Sequence, residues 1–268
     1  TFSGNVDTTI AEAIEVGSFP RLLFSKQPTS SDDPQLGYTL STDTKSYLYN
    51  STVTFAKNVN LTHADSEGQS ITIFGQKFTI SAATSATDLV LLKSAEKISL
   101  TNTDPSAEVT VGGKTYTIEL VSASDTAATI KVTDDTGASD SKTINEASSK
   151  KVNGVTIAVD TADETNFALS ATVIAGTEKV TLTSGSTVKS GEDDTTVKGT
   201  KVLFSGGDSK PSNLNKITVS VAAPDTSTDA LINGGSFSDP VFGSFKMDFS
   251  SINIPTDSTA RDTIKVED

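Results

Sequence analysis

The sequence predicts a mostly β protein of two domains, one inserted into the other, with little helix. Three observations predict it. From Val109 to Val159 apolar and hydroxyl residues alternate in short runs separated by Gly, Asp, Asn and Ser, the pattern of short antiparallel strands joined by tight turns. Hydrophobic residues make up only 35% of the chain while Thr and Ser are abundant, which suits thin β-layers with large solvated faces. Aromatic residues and prolines are unevenly placed: residues 67–198 hold one of the 8 prolines (Pro105) and three of the 12 phenylalanines (Phe74, Phe78 and Phe167). An aromatic-cored outer domain over 1–66 and 199–268, interrupted by an aliphatic and Thr-based domain over 67–198, accounts for that split. Chain ends of a compact domain lie at its surface and often close together, so such an insertion costs little.

The elements follow in chain order. Thr9 to Glu12 fits a capping box, with Ile10, Ala13 and Ile14 on one helical face, which predicts a short helix over 10–16. A strand is the rival, because Ile10, Ile14 and Val16 also share the even positions. Residues 21–25 (RLLFS) read as a strand, 28–34 as a loop carrying Asp32 and Asp33, and 38–40 and 47–59 as further strands. Three stretches, 71–80, 109–118 and 150–159, each read strand, Gly-containing turn, strand, and Asn153-Gly154 is a type I′ signal. Residues 88–93, 130–133, 168–174 and 179–183 are further strands, followed by a polar loop over 184–200 with Glu192, Asp193 and Asp194. Strands resume at 202–204 and 217–221. In the second half of 234–249, Val241, Phe245, Met247 and Phe249 share one face, as in a half-buried strand. The last residues, 262–268, alternate like a strand and then stop, as at the cut edge of a longer protein.

Composition narrows the function. A net charge of −13 disfavours nucleic acid, which needs a basic face. Without cysteine there are no disulfides, no thiolate chemistry and no Cys-based metal centre. No apolar run is long enough to cross a membrane as a helix.

Candidate chemistry is sparse. His63 is the only histidine; it sits in a polar LTHADSEG segment, and no nucleophile-elbow motif surrounds any serine, so it reads as a surface residue. An extracellular enzyme would need a cleft of carboxylates converging around it. The pairs Asp32-Asp33, Asp134-Asp135 and Asp193-Asp194 read as turn residues, with calcium held between loops or subunits as the alternative. Adjacent aspartates do not face each other across a sugar as a glycosidase requires. Gly112-Gly113-Lys114-Thr115 lacks the earlier glycine and the following helix of a phosphate loop. Asn50-Ser51-Thr52 and Asn60-Leu61-Thr62 are glycosylation sequons; Asn50 and Asn60 are otherwise ordinary loop or strand-end residues. Lys–Asn isopeptide crosslinks lock some cysteine-free surface domains, but no spacing here singles out a pair. No catalytic or cofactor-binding residue is assigned.

The runs VTVGGKTYTIELVSASDTAATIKV, KTINEASSKKVNGVTIAV, VIAGTEKVTLTSGSTVK, ADSEGQSITIFGQKFTIS and GGSFSDPVFGSFKMDF cover much of the chain. Together they resemble archaeal surface-layer (S-layer) proteins. The resemblance implies two β-sandwich domains of immunoglobulin-like type, export to the cell surface, covalently attached glycans, and self-assembly into a lattice often supported by cations. It carries no catalytic residue. Membrane attachment would lie in a region outside this chain. The expected function is a structural cell-envelope protein whose partner is itself; the alternative is an extracellular adhesin or carbohydrate-binding β-sandwich.

Overall fold

The computed structural model describes residues 8–17, 21–26, 35–228, 230–250 and 259. The loop expected at 28–34, with Asp32 and Asp33, and the strand expected at 262–268 lie outside the described residues.

The protein is mostly β, and every strand pairing within its sheets is antiparallel. One four-stranded sheet runs Ile10–Val16, Tyr49–Val59, Leu214–Val221, Thr200–Ser205. Tyr49–Val59 begins with strict alternation, so Tyr49, Ser51, Val53 and Phe55 point inward. A six-stranded sheet packs against this one, running from Thr195–Thr196 through Lys189–Ser190, Glu178–Thr183, Asp88–Lys93 and Gln76–Ile80 to Ser70–Ile73. Both share one apolar core, with Val53, Phe55, Phe204 and Ile217 from the first and Ile71, Phe78, Leu89, Leu91 and Leu182 from the second. Two smaller sheets, one of them the hairpin Gly235–Ser238 with Lys246–Phe249, lie beside it.

Residues 96–176 have a separate core. Ser148–Val152, Val155–Thr165, Ala168–Gly176 and Glu96–Thr101 form one four-stranded sheet, and Ser139–Asn145, Ala127–Asp134, Lys114–Ser124 and Ser106–Val111 form another. Leu100, Ile157 and Val173 of the first meet Ile118, Ile130, Val132 and Ile144 of the second. The connections are two or four residues long, so the second sheet is a meander; in the first, three successive strands lie side by side and Glu96–Thr101 closes the far edge against Ala168–Gly176.

The two cores divide inside the 67–198 span expected for the insertion. Strands within 70–93 and 178–196 join the aromatic core; only 96–176 packs on itself. The reason is aromatic. Phe74 lies 5.1 Å from Phe242 and 5.9 Å from Phe245, and Phe78 lies 6.1 Å from Phe242, ring centroid to centroid. Two of the three phenylalanines assigned by composition to the middle, Phe74 and Phe78, therefore pack with the flank. The chain leaves and rejoins the aromatic body at one point, where Lys93 O accepts from Thr177 N at 2.9 Å and Thr177 Oγ1 at 3.0 Å. Leu92, Ala95, Ala158 and Ile174 pack together between the two cores.

Two local expectations are corrected. Residues 10–16 form a strand, not a helix, paired from Ile10↔Phe55 to Val16↔Tyr49. Glu12, which would close a capping box, instead accepts from Phe74 N at 2.6 Å. Sheet pairing satisfies the whole backbone of this segment on one side, which an isolated helix of two turns cannot match. The strand expected to run on from Val241 is confined to Lys246–Phe249. Before it, the Asp239 carboxylate takes the N–H groups of Val241, Phe242 and Gly243, and Phe242 is turned into the core. An Asp side chain competing for local N–H groups, followed by a proline, ends a ladder.

Candidate functional site

The sequence-predicted residues do not come together. His63 caps the short 3-10 turn Ala64–Ser66: its Nδ1 accepts from Asp65 N at 3.2 Å, and its side chain is about half exposed. Asp134 is spent on its own turn. Its Oδ1 accepts from the Thr136 hydroxyl at 2.7 Å, from Ala138 N at 2.9 Å and from Thr136 N at 3.0 Å. The Thr136 hydroxyl, with these amides and the Asn153 side chain, holds this carboxyl below its ordinary range. Asp135 and Asp193 are exposed, and Asp194 Oδ1 lies 3.3 Å from Lys179 Nζ. Among the described residues, no three His, Asp or Glu side chains are grouped to hold a metal ion, and no helix is long and apolar enough to cross a membrane.

The two sequons differ. Asn50 sits within Tyr49–Val59, between Glu15 and Ser220 of the neighbouring strands, and its Oδ1 is buried without a hydrogen-bond partner. Asn60 follows the end of that strand. Its Oδ1 accepts from Thr62 N at 3.0 Å and from Thr62 Oγ1 at 2.7 Å, an Asx turn closed by the sequon's own hydroxyl. Those bonds occupy the carbonyl and leave the amide nitrogen, the atom that would carry a glycan, outside them.

Chemistry-bearing side chains do cluster where the two cores meet. A cleft of about 360 Å³ is lined by Lys93, Lys151, Thr156, Glu178, Glu192 and Asp193. Glu192 Oε2 accepts from Ser149 Oγ at 2.9 Å and lies 3.7 Å from Lys179 Nζ, and Ser190 donates to Glu178. These bonds tie the loop after Lys189–Ser190 to the strand Ser148–Val152. Close by in the fold, at the chain's passage into the 96–176 sandwich, Lys97 Nζ meets Asp160 Oδ2 at 2.6 Å, with Glu67 beside them.

At the other end of that sandwich, the hairpin joining Val155–Thr165 to Ala168–Gly176 turns through Asn166 and Phe167, both at positive φ (53° and 64°). Asn102 braces it: Asn102 Nδ2 donates to Phe167 O at 3.0 Å and Asn102 Oδ1 accepts from Leu169 N at 2.5 Å. Phe167 is 89% exposed. Glycine or asparagine suits such a position and a phenylalanine does not, so local conformation does not explain this ring.

Sequence reasoning passed over Phe167, Asp239 and the Lys97–Asp160 contact. Asp239-Pro240 with Gly243 downstream is a turn signal that could have marked the second; the third joins residues with no common local pattern. Compared with known family models and with curated proteins, the chain matches none.

Proposed function

We propose that the chain is a structural building block of a cell-surface lattice, exported to the outside of the cell and partnered by copies of itself. In this reading it consists of two β-domains, with the 96–176 sandwich inserted into an aromatic-cored domain, and it turns over no external substrate. Its resemblance to surface-layer sequences motivates the reading. The observation that carries it furthest is Phe167, an aromatic ring held out on a braced hairpin tip with no local purpose. A ring so placed buries its surface only against a neighbour, and many small contacts of this kind add up in a lattice through multivalency.

Asn60 is the sequon acceptor in this reading, since a mid-strand Asn50 would have to leave its sheet to be reached. The sugar-binding alternative has less support: all four tyrosines are buried or half-buried and form no exposed platform. Electron microscopy of the purified chain, with and without calcium, tests the proposal. Ordered two-dimensional sheets are expected, lost or much reduced in Phe167→Asp while the circular-dichroism spectrum is unchanged. Monodisperse monomers under every condition would sink it.

A further inference from the structure

Glu67, Lys97 and Asp160 converge beside the packing that joins the two cores. Asp160 is the extra residue of a bulge: pairing passes from Val159↔Val173 to Thr161↔Thr172 and leaves it unmatched. Bulges re-aim side chains, and this carboxyl is only 8% exposed. Lys97 lies on Glu96–Thr101, opposite Ile174 of the strand that separates it from Asp160. The lysine reaches across that strand to bring Nζ within 2.6 Å of Asp160 Oδ2.

Gly68 gives it room. A Cβ at that position would stand 2.6 Å from Lys97 Cδ and 2.7 Å from Nζ, so any side chain there displaces the amine. Glu67, next in the chain, brings a second carboxyl to this pair, close enough for Asp160 and Lys97 both to act on it. Burial favours the protonated form of Glu67, the charge of Asp160 and its hydrogen bond add to this, and Lys97 and His63 only partly oppose it.

An amine in contact with a buried carboxyl, next to a second carboxyl able to carry a proton, is a complete set for side-chain amide formation. We propose that Lys97 and Asp160 are joined by an intramolecular isopeptide bond, with Glu67 as the catalytic residue. Glu67 relays a proton from the lysine ammonium to the aspartate. The Nζ lone pair attacks Asp160 Cγ, and the N–C bond forms. Glu67 then takes a second proton from Nζ and delivers it to the departing oxygen, so that the C–O bond breaks and water leaves. Ammonium plus carboxylate becomes amide plus water, nothing is oxidised or reduced, and Glu67 ends as it began. The bond closes the chain between 97 and 160, a loop that holds the whole of the second sandwich sheet, in a protein without cysteine. Such a closure restricts the unfolded chain as a disulfide does. The inference does not depend on the lattice reading.

Intact-mass measurement of the purified full chain tests it directly. The expected mass is lower than that of the sequence by one water, with a branched tryptic peptide joining the Lys97 and Asp160 segments. A chain at the full sequence mass, with Lys97 open to acylation, would overturn the proposal and leave an ordinary ion pair. Lys97→Arg and Asp160→Ala are expected at their full sequence masses. Glu67→Gln should also stay at full mass; complete bond formation in that variant would remove Glu67 from its role. Asp160→Asn is expected to lose ammonia instead of water, which ties the loss to this site.

Discussion

Tyr49 and Asp239 lie 190 positions apart and meet in the core at 2.5 Å, phenol to carboxylate. The second carboxylate oxygen of Asp239 holds the turn over 241–243, so one buried acid serves both a long-range and a local contact. Hydrogen bonds to a charged group contribute about 2 kcal/mol, and more is lost when one partner is left unsatisfied. Tyr49→Phe should therefore destabilise the protein by about 2 kcal/mol in urea unfolding. The same pair sets a pH dependence. Burial first, then the charge of Asp239 and the hydrogen bond to it, push the phenol far above its ordinary value. The folded chain keeps a proton that the unfolded chain releases near pH 10, so this contribution is whole below about pH 10 and falls as pH rises further. The urea midpoint of the wild type should drop between about pH 8 and about pH 10.5 more than that of Tyr49→Phe. Parallel drops in the two proteins would contradict this account.

Turns are the elements most readable in the sequence, because their backbone angles restrict residue type. Asn153 and Gly154 sit at φ 43° and 86°, as the type I′ signal requires, and Gly112 and Gly113 at 61° and 80°. Not every glycine is there for φ alone. A Cβ on Gly154 would meet nothing within 4 Å, whereas on Gly199 it would stand 2.4 Å from Ala222 O and 2.8 Å from Ala223 O. Gly154→Ala should cost only the left-handed backbone, about 1 kcal/mol. Gly199→Ala adds a clash with main-chain oxygens that cannot rotate away, and should lower the urea midpoint clearly further. Equal losses at the two sites would show that the close approach at Gly199 relaxes freely. The element that misled was 10–16, where period-two and helical patterns coincide and only the partner strand decides.

At the scale of the molecule, the two cores share little apolar packing beyond Leu92, Ala95, Ala158 and Ile174. The chain leaves and returns at the Lys93–Thr177 hydrogen bonds. Residues 96–176 expressed alone should fold cooperatively, with a β-type circular-dichroism spectrum and a single unfolding transition. An unfolded fragment would mean that the aromatic body is needed to complete it.

What the sequence determined by itself is the class of structure and its punctuation: β alternation, three hairpins with their glycine turns, an acidic surface and the absence of thiol chemistry. These are local properties, written in period-two burial and in positions that demand positive φ. Tertiary structure alone decided the rest. It drew Phe74 and Phe78 into the flank's core through Phe242, matched Tyr49 to Asp239, and set Lys97 against Asp160 through a one-residue bulge. Each of these joins residues far apart in the chain, and which distant side chains meet depends on sheet register and on what remains to be buried once the hairpins have formed.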